Sequence, residues 1–82
     1  MNRKHPSPTI GQQIRHVRES ADLTQEEMVA EINRRRPKVS RKMTQGHLSA
    51  MENDRHVPTL SLLYEIAKAA GHRLCERLFV GN

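Results

Sequence analysis

Four threonines, Thr9, Thr24, Thr44 and Thr59, each stand directly before a stretch with apolar residues at helical spacing. This punctuation constrains the chain more than any other feature. A threonine hydroxyl accepts a hydrogen bond from the free amides of a helix's first turn, and so marks where a helix begins. Gln12 follows Thr9 by three residues and Glu27 follows Thr24 by three, the spacing of a reciprocal capping box. Behind Thr9, the residues Ile10, Ile14, Val17 and Ala21 share a face and predict a first helix over roughly 9–20. Behind Thr24, Glu26 and Glu27 suit the positive end of a helix dipole, and Met28, Val29 and Ile32 form an apolar stripe. That second helix should run from 25 to about 33–36, where Pro37 stops it.

Thr44 opens a short third helix over about 45–53. Leu48 and Met51 face one way in it, and Gln45, Gly46, Ser49 and Ala50 face the other. Asn53-Asp54 suits its end, since both residue types tolerate the left-handed conformation. Pro58-Thr59 opens a fourth, with a stripe of Leu60, Leu63, Ile66, Ala67 and Ala70 and a stop at Gly71. His72 to Val80 reads either as a short fifth helix, the preferred reading, or as a strand with Leu74, Leu78 and Val80 on one face. The expected architecture is all-α, a compact bundle of about five helices with an extended loop between helices 2 and 3. The near absence of aromatic residues, one Tyr and one Phe, agrees with helices rather than sheet.

Eighty-two residues leave room for one domain, placed at 9–82 behind a flexible basic arm at 1–8. The net charge is +5, and the charge is unevenly spread. Arg34, Arg35, Arg36, Lys38, Arg41 and Lys42 crowd residues 34–42 with no acid among them, which points to phosphate contacts with a polyanion. This segment reads as a loop, mobile when free and ordered on binding. One cysteine, Cys75, excludes an internal disulfide framework and reads as a small buried or interface residue. The five histidines lack metal-ligand spacing, so no metal and no cofactor is expected, and no nucleophile–base pair indicates an enzyme. No apolar run is long enough for a signal or a membrane span, so a soluble, cytoplasmic protein is expected.

Several motifs then occur in a recognisable order: Val17-Arg18, Leu23-Thr24-Gln25-Glu26-Glu27-Met28-Val29, Thr44-Gln45-Gly46-His47-Leu48-Ser49-Ala50-Met51-Glu52, Pro58-Thr59-Leu60 and Ile66-Ala67. Over residues 9–80 the chain resembles the Cro/cI-like (XRE-type) helix-turn-helix family. The resemblance implies a lambda-repressor-like bundle that binds double-stranded DNA as a small homodimeric transcription regulator, most simply a repressor, with helix 3 in the major groove. It implies that Thr44, Gln45, Gly46, Ser49 and Ala50 face the bases. It places Thr24, Gln25, Asn53 and Arg55 at backbone phosphate, and makes Arg18 and Glu52 a structural ion pair between helices 1 and 3. His47, on helix 3, is a further candidate for phosphate or a base edge.

Three departures qualify the resemblance. A long basic segment replaces the family's tight turn between helices 2 and 3. Val29 stands where the family prefers Ala, and Gly46 and Ala50 stand where longer polar side chains often read bases. Gln45 is therefore the clearest reader. Leu74, Leu78, Phe79 and Val80 form an apolar cluster suited to a dimer seam. Two other readings remain open: an antitoxin-like or adaptor protein whose C-terminal surface binds a protein partner, with autoregulatory DNA binding, and a nonspecific nucleic-acid coating protein.

Overall fold

In the computed structural model, which describes the backbone of residues 7–80 and the side chains of residues 7–75, four α-helices follow one another. They are α1 (Ile10–Ser20), α2 (Gln25–Arg35), α3 (Gln45–Glu52) and α4 (Leu60–Val80). Helix α1 packs on α3 and α4, and α2 packs on α3 and α4. Between them lies one core: Ile14 from α1, Met28 and Ile32 from α2, Leu48 and Met51 from α3, and Leu62, Ile66, Ala69 and Ala70 from α4. Ala21, Leu23 and Met43 join it from the connections. Each expected threonine acts as a cap. The Thr9 and Thr24 boxes are both closed, Thr44 accepts from the His47 amide, and Thr59 accepts from the Leu62 amide.

Two connections end helices in the same way. Leu23 and Asp22 donate their amides to the carbonyls of Arg18 and Glu19, and Arg55 and Asp54 donate theirs to Ala50 and Met51. Both are Schellman turns, and in both the left-handed residue is an aspartate, Asp22 at φ 64° and Asp54 at φ 59°, where glycine is usual. For Asp54 the side chain explains the choice. Its carboxylate accepts from the Thr9 hydroxyl at 2.6 Å and from the Gly11 amide at 2.9 Å. The turn that ends α3 thus caps the start of α1, where the helix dipole favours an anion.

Four expectations are corrected. Among the described residues there are four helices, not five, because Gly71 does not end the fourth. It lies inside α4, in open space, and continuing the helix costs only about 1 kcal/mol relative to alanine. Residues 72–80 are accordingly a helical continuation, and the strand reading falls. The buried face of α4 is Leu62, Ile66, Ala69 and Ala70, while Leu60 and Ala67 are exposed. The segment carries apolar residues on several sides, and contact with α1 and α2 selects one. Cys75 is exposed in the chain, so of its two readings, buried or interface, the buried one falls. The arm expected at 1–8 lies outside the described residues except for Ser7 and Pro8. No helix among the described residues is long and apolar enough to cross a membrane.

Gly11 marks a close approach of α1 to the end of α3. A Cβ there would lie 2.5 Å from the Glu52 carbonyl oxygen and 2.6 Å from that of Met51. Both are backbone atoms that cannot swing aside. Gly11→Ala should therefore destabilise by about 1–3 kcal/mol, although alanine is the better helix former. Thermal denaturation should show Tm falling by roughly 4–8 °C per kcal/mol, and an unchanged Tm would mean that α1 and α3 are not in this contact.

Candidate nucleic-acid interface

The site is assembled around a buried carboxylate. Glu52, at the end of α3, has a fully buried side chain. Arg18 of α1 forms a two-point fork with it, Nε to Oε2 at 2.7 Å and Nη2 to Oε1 at 3.0 Å, and its Nη1 donates to the Leu23 carbonyl at 2.8 Å. Arg15 adds a longer contact of 3.4 Å, and Gln25 of α2 donates Nε2 to Oε1 at 3.0 Å. Burial pushes the Glu52 carboxyl up, but the Arg18 and Gln25 hydrogen bonds, the Arg18 charge and the Arg15 bond outweigh it and hold it below the usual carboxylate range. The hydrogen bond to Glu52 raises Arg18 in turn. The expected structural pair is thus present, and three helices share it.

Gln25 and Gln45 are the first residues of α2 and α3, and Gln45 donates Nε2 to Gln25 Oε1 at 3.3 Å. The two helix N-termini therefore converge. Amide orientation is ordinarily ambiguous, but here the carboxylate resolves it. Ionised Glu52 only accepts, so Gln25 must turn its NH2 toward Glu52 and its oxygen toward Gln45. Gln45 must then spend one N–H on Gln25, which leaves its oxygen and its second N–H facing outward. Gln25, expected at phosphate, is a link in this relay.

The residues assigned to base contact lie together on the side of α3 away from Leu48 and Met51. Thr44, Gln45 and Gly46 are exposed, and Ser49 and Ala50 are half-buried. A Cβ added at Gly46 would meet nothing closer than Thr44 Oγ1 at 4.0 Å, so packing does not require glycine there. His47 is half-buried and its ring meets that of His56 edge to face, with centroids 4.6 Å apart. Asn53 Nδ2 is occupied by the Ser49 carbonyl at 2.8 Å, whereas Arg55 is exposed and its side chain has no polar partner among the described residues.

The six cations of 34–42 divide into two sets. Arg34 and Arg35 are not in a loop but in the last turn of α2. Arg34 pairs with Glu31 at 2.6 Å, and Arg35 lies 4.0 Å from the same carboxylate. Arg36 forks onto Glu65 of α4 at 2.9 and 2.6 Å. Glu31 lies one turn back in the same helix and Glu65 comes from α4, so the absence of acids within 34–42 itself was misleading for these three. Lys38, Arg41 and Lys42 are exposed, and their side chains form no ion pair among the described residues. The loop is not free either. Asn33 donates to the Met43 carbonyl at 2.9 Å and accepts from its amide at 2.8 Å, and Met43 is buried. Sequence reasoning missed Asn33 and Met43, and although it read Asp54 as a left-handed helix end, it missed that residue's cap on α1. Met43, an apolar residue directly before a cap, was the one available signal.

Of the expected dimer seam, Leu74 is 39% exposed, while the side chains of Leu78, Phe79 and Val80 lie outside the described residues. A second apolar surface, not anticipated, lies on α1 and α4, where the exposed Ile10 and Val17 line a shallow groove between the helices and the exposed Leu60 and Tyr64 line a second depression on α4, with Leu63 common to both.

Hydrogen bonds from Arg34 to Glu31 and from Arg36 to Glu65 also hold those two carboxyls below the usual range. A carboxyl depressed in the folded state stabilises above its unfolded value, about 4.3, and loses that contribution as pH falls through its folded value. Stability should therefore drop steeply below about pH 4.3. Glu52→Gln should lower Tm at pH 7 yet show a shallower acid decline, and thermal melts between pH 2 and 7 measure both. Parallel wild-type and variant profiles would sink the assignment. No protein-family model, curated protein or solved structure matches this chain.

Proposed function

We propose that this chain is a sequence-specific double-stranded DNA-binding protein of the Cro/cI-like helix-turn-helix type, a dimeric transcriptional repressor of lambda-repressor-like fold that lays α3 in the major groove. The observation that carries this reading is the Glu52–Gln25–Gln45 relay. It leaves Gln45 with one acceptor and one donor outward, on an exposed helix start, and that pair complements the N6 donor and N7 acceptor of adenine. Convergent N-termini of α2 and α3 add amides and positive dipole ends that suit phosphate. Gly46 adds support. Glycine costs a helix about 0.5–1 kcal/mol relative to alanine, nothing inside the fold demands it, and a bare backbone permits close approach of a duplex. Gly71, equally uncrowded but in α4, serves as the control position.

Selection of bound duplexes from a random pool tests the reading. A near-palindrome with half-sites about 34 Å apart is expected for a dimer, and recovery of no shared motif would overturn it. Gln45→Ala should weaken binding by about 1–3 kcal/mol per half-site and relax preference at one base pair. Gly46→Leu should keep or raise Tm while lowering duplex affinity by about tenfold or more, whereas Gly71→Leu should leave affinity unchanged. Equal effects of the two glycine variants would detach α3 from the interface.

The exposed apolar surface of α1 and α4 favours a second reading, an adaptor or antitoxin-like protein that binds a protein partner there. Sedimentation of the pure chain discriminates. A dimer broken by Leu74→Glu supports the C-terminal seam, and a monomer at high micromolar concentration, free and on DNA, supports the adaptor.

A further inference from the structure

The segment between α2 and α3 has no helix or strand, yet it is tied down along its length. Pro37 to Ser40 forms a turn closed by the Ser40 amide on the Pro37 carbonyl at 3.0 Å. Arg36 forks onto Glu65 and, with its remaining nitrogen Nη1, donates to the Arg41 carbonyl at 2.8 Å. One guanidinium thus ties α4 to the far side of the loop. Asn33 closes a two-bond ring with the backbone of Met43, whose side chain is sunk in the core. The three cations without acid partners among the described residues, Lys38, Arg41 and Lys42, all sit between these ties. Arg41 and Lys42 precede Thr44, the cap of α3, by three and two residues, so their Cα atoms lie within about 11 Å of it.

We propose that residues 36–43 are a prefolded ledge that grips the duplex backbone through Lys38, Arg41 and Lys42, with Arg36, Asn33 and Glu65 as positioning residues that hold its shape. The proposal rests on the DNA-binding reading and narrows it. Cations with no acid partner among the described residues are available to an external anion, whereas Arg34 and Arg36 are each paired within the fold, to Glu31 and Glu65, and Arg35 lies 4.0 Å from Glu31. The ledge is continuous with the start of α3, so the phosphates it meets are those flanking the bases that Gln45 faces. A backbone grip of this kind fixes register on the duplex and carries no sequence preference of its own.

The test uses the full chain, the selected duplex and a random duplex, with affinity measured across a series of salt concentrations. Lys38→Gln/Arg41→Gln/Lys42→Gln should flatten the slope of log K against log salt by about 2–3 units, roughly 0.9 for each phosphate lost, and weaken both duplexes by a similar factor. Glu65→Gln decides the positioning role. Removing a negative charge should tighten binding if charge alone matters, whereas release of Arg36 from its anchor should loosen the ledge and weaken binding several-fold. Asn33→Ala changes no charge and should flatten the slope in the same direction, and it serves if Glu65→Gln fails to fold. A wild type that binds neither duplex at low salt overturns the DNA-binding reading and the ledge together. Wild-type binding to the selected duplex with an unchanged slope in the triple variant overturns the ledge alone. Tighter binding by Glu65→Gln removes the positioning role, and a changed base preference in the triple variant shows that the loop reads bases instead.

Discussion

A carboxylate with no solvent contact must be satisfied by the protein around it, and Glu52 is satisfied by donors from α1 and α2 while itself standing on α3. An ion pair of this kind is a poor source of net stability, because desolvation offsets most of its attraction, but losing one partner strands the other at a cost of about 3–5 kcal/mol. Its effect is therefore geometric. Helices α1, α2 and α3 can meet only in arrangements that bring Arg18 and Gln25 to Glu52. The third Arg18 contact, to the Leu23 carbonyl, extends the constraint into the turn between α1 and α2. Asp54, two residues after Glu52, adds a second tie by capping α1, and Gly11 allows the backbones to close there.

The same carboxylate reaches the surface through chemistry rather than packing. An acceptor-only group at the bottom of the relay dictates the orientation of each amide above it. A base-reading glutamine on an exposed helix start would otherwise be free to rotate and flip. Held from below, Gln45 presents one defined donor–acceptor order, which is a condition for discriminating base pairs in the proposed complex. Stability and proposed specificity thus share residues, and substitution at Glu52 should disturb both.

Charge is organised on a second principle. Of the six cations between 34 and 42, three lie against two carboxylates, Glu31 and Glu65, and three have no acid partner among the described residues. The first three are not idle. Arg36 orders the loop, and Arg34 neutralises Glu31 at the end of α2. A run of like charge is therefore a mixture of structural and available groups, and only the available ones bear on a polyanionic partner.

Local signals were strong in this chain. The four threonine caps, the two capping boxes, the stop at Pro37 and the apolar pairs of α3 act within a few residues, so the sequence alone located the helix starts and the outward face of Gln45, Gly46, Ser49 and Ala50. The Arg18–Glu52 pair was legible only through the motif resemblance, because the residues are far apart in the chain. What the sequence could not decide depended on partners distant in sequence. Gly71 looked like a stop because glycine often is one, but a modest propensity cost did not end α4. The inward side of α4 was only partly legible because Leu60, Leu62, Leu63 and Tyr64 offer overlapping stripes: Ile66 and Ala70 are buried as the stripe expected, but contact with α1 and α2 chose Leu62 and Ala69 over Leu60 and Ala67. Asn33 on Met43, Arg36 on Glu65 and Asp54 on the start of α1 are polar contacts made across the fold, and no local pattern encodes them. Tertiary structure alone decided that the basic loop is held rather than loose, because its anchors come from α2 and α4 and not from the loop itself.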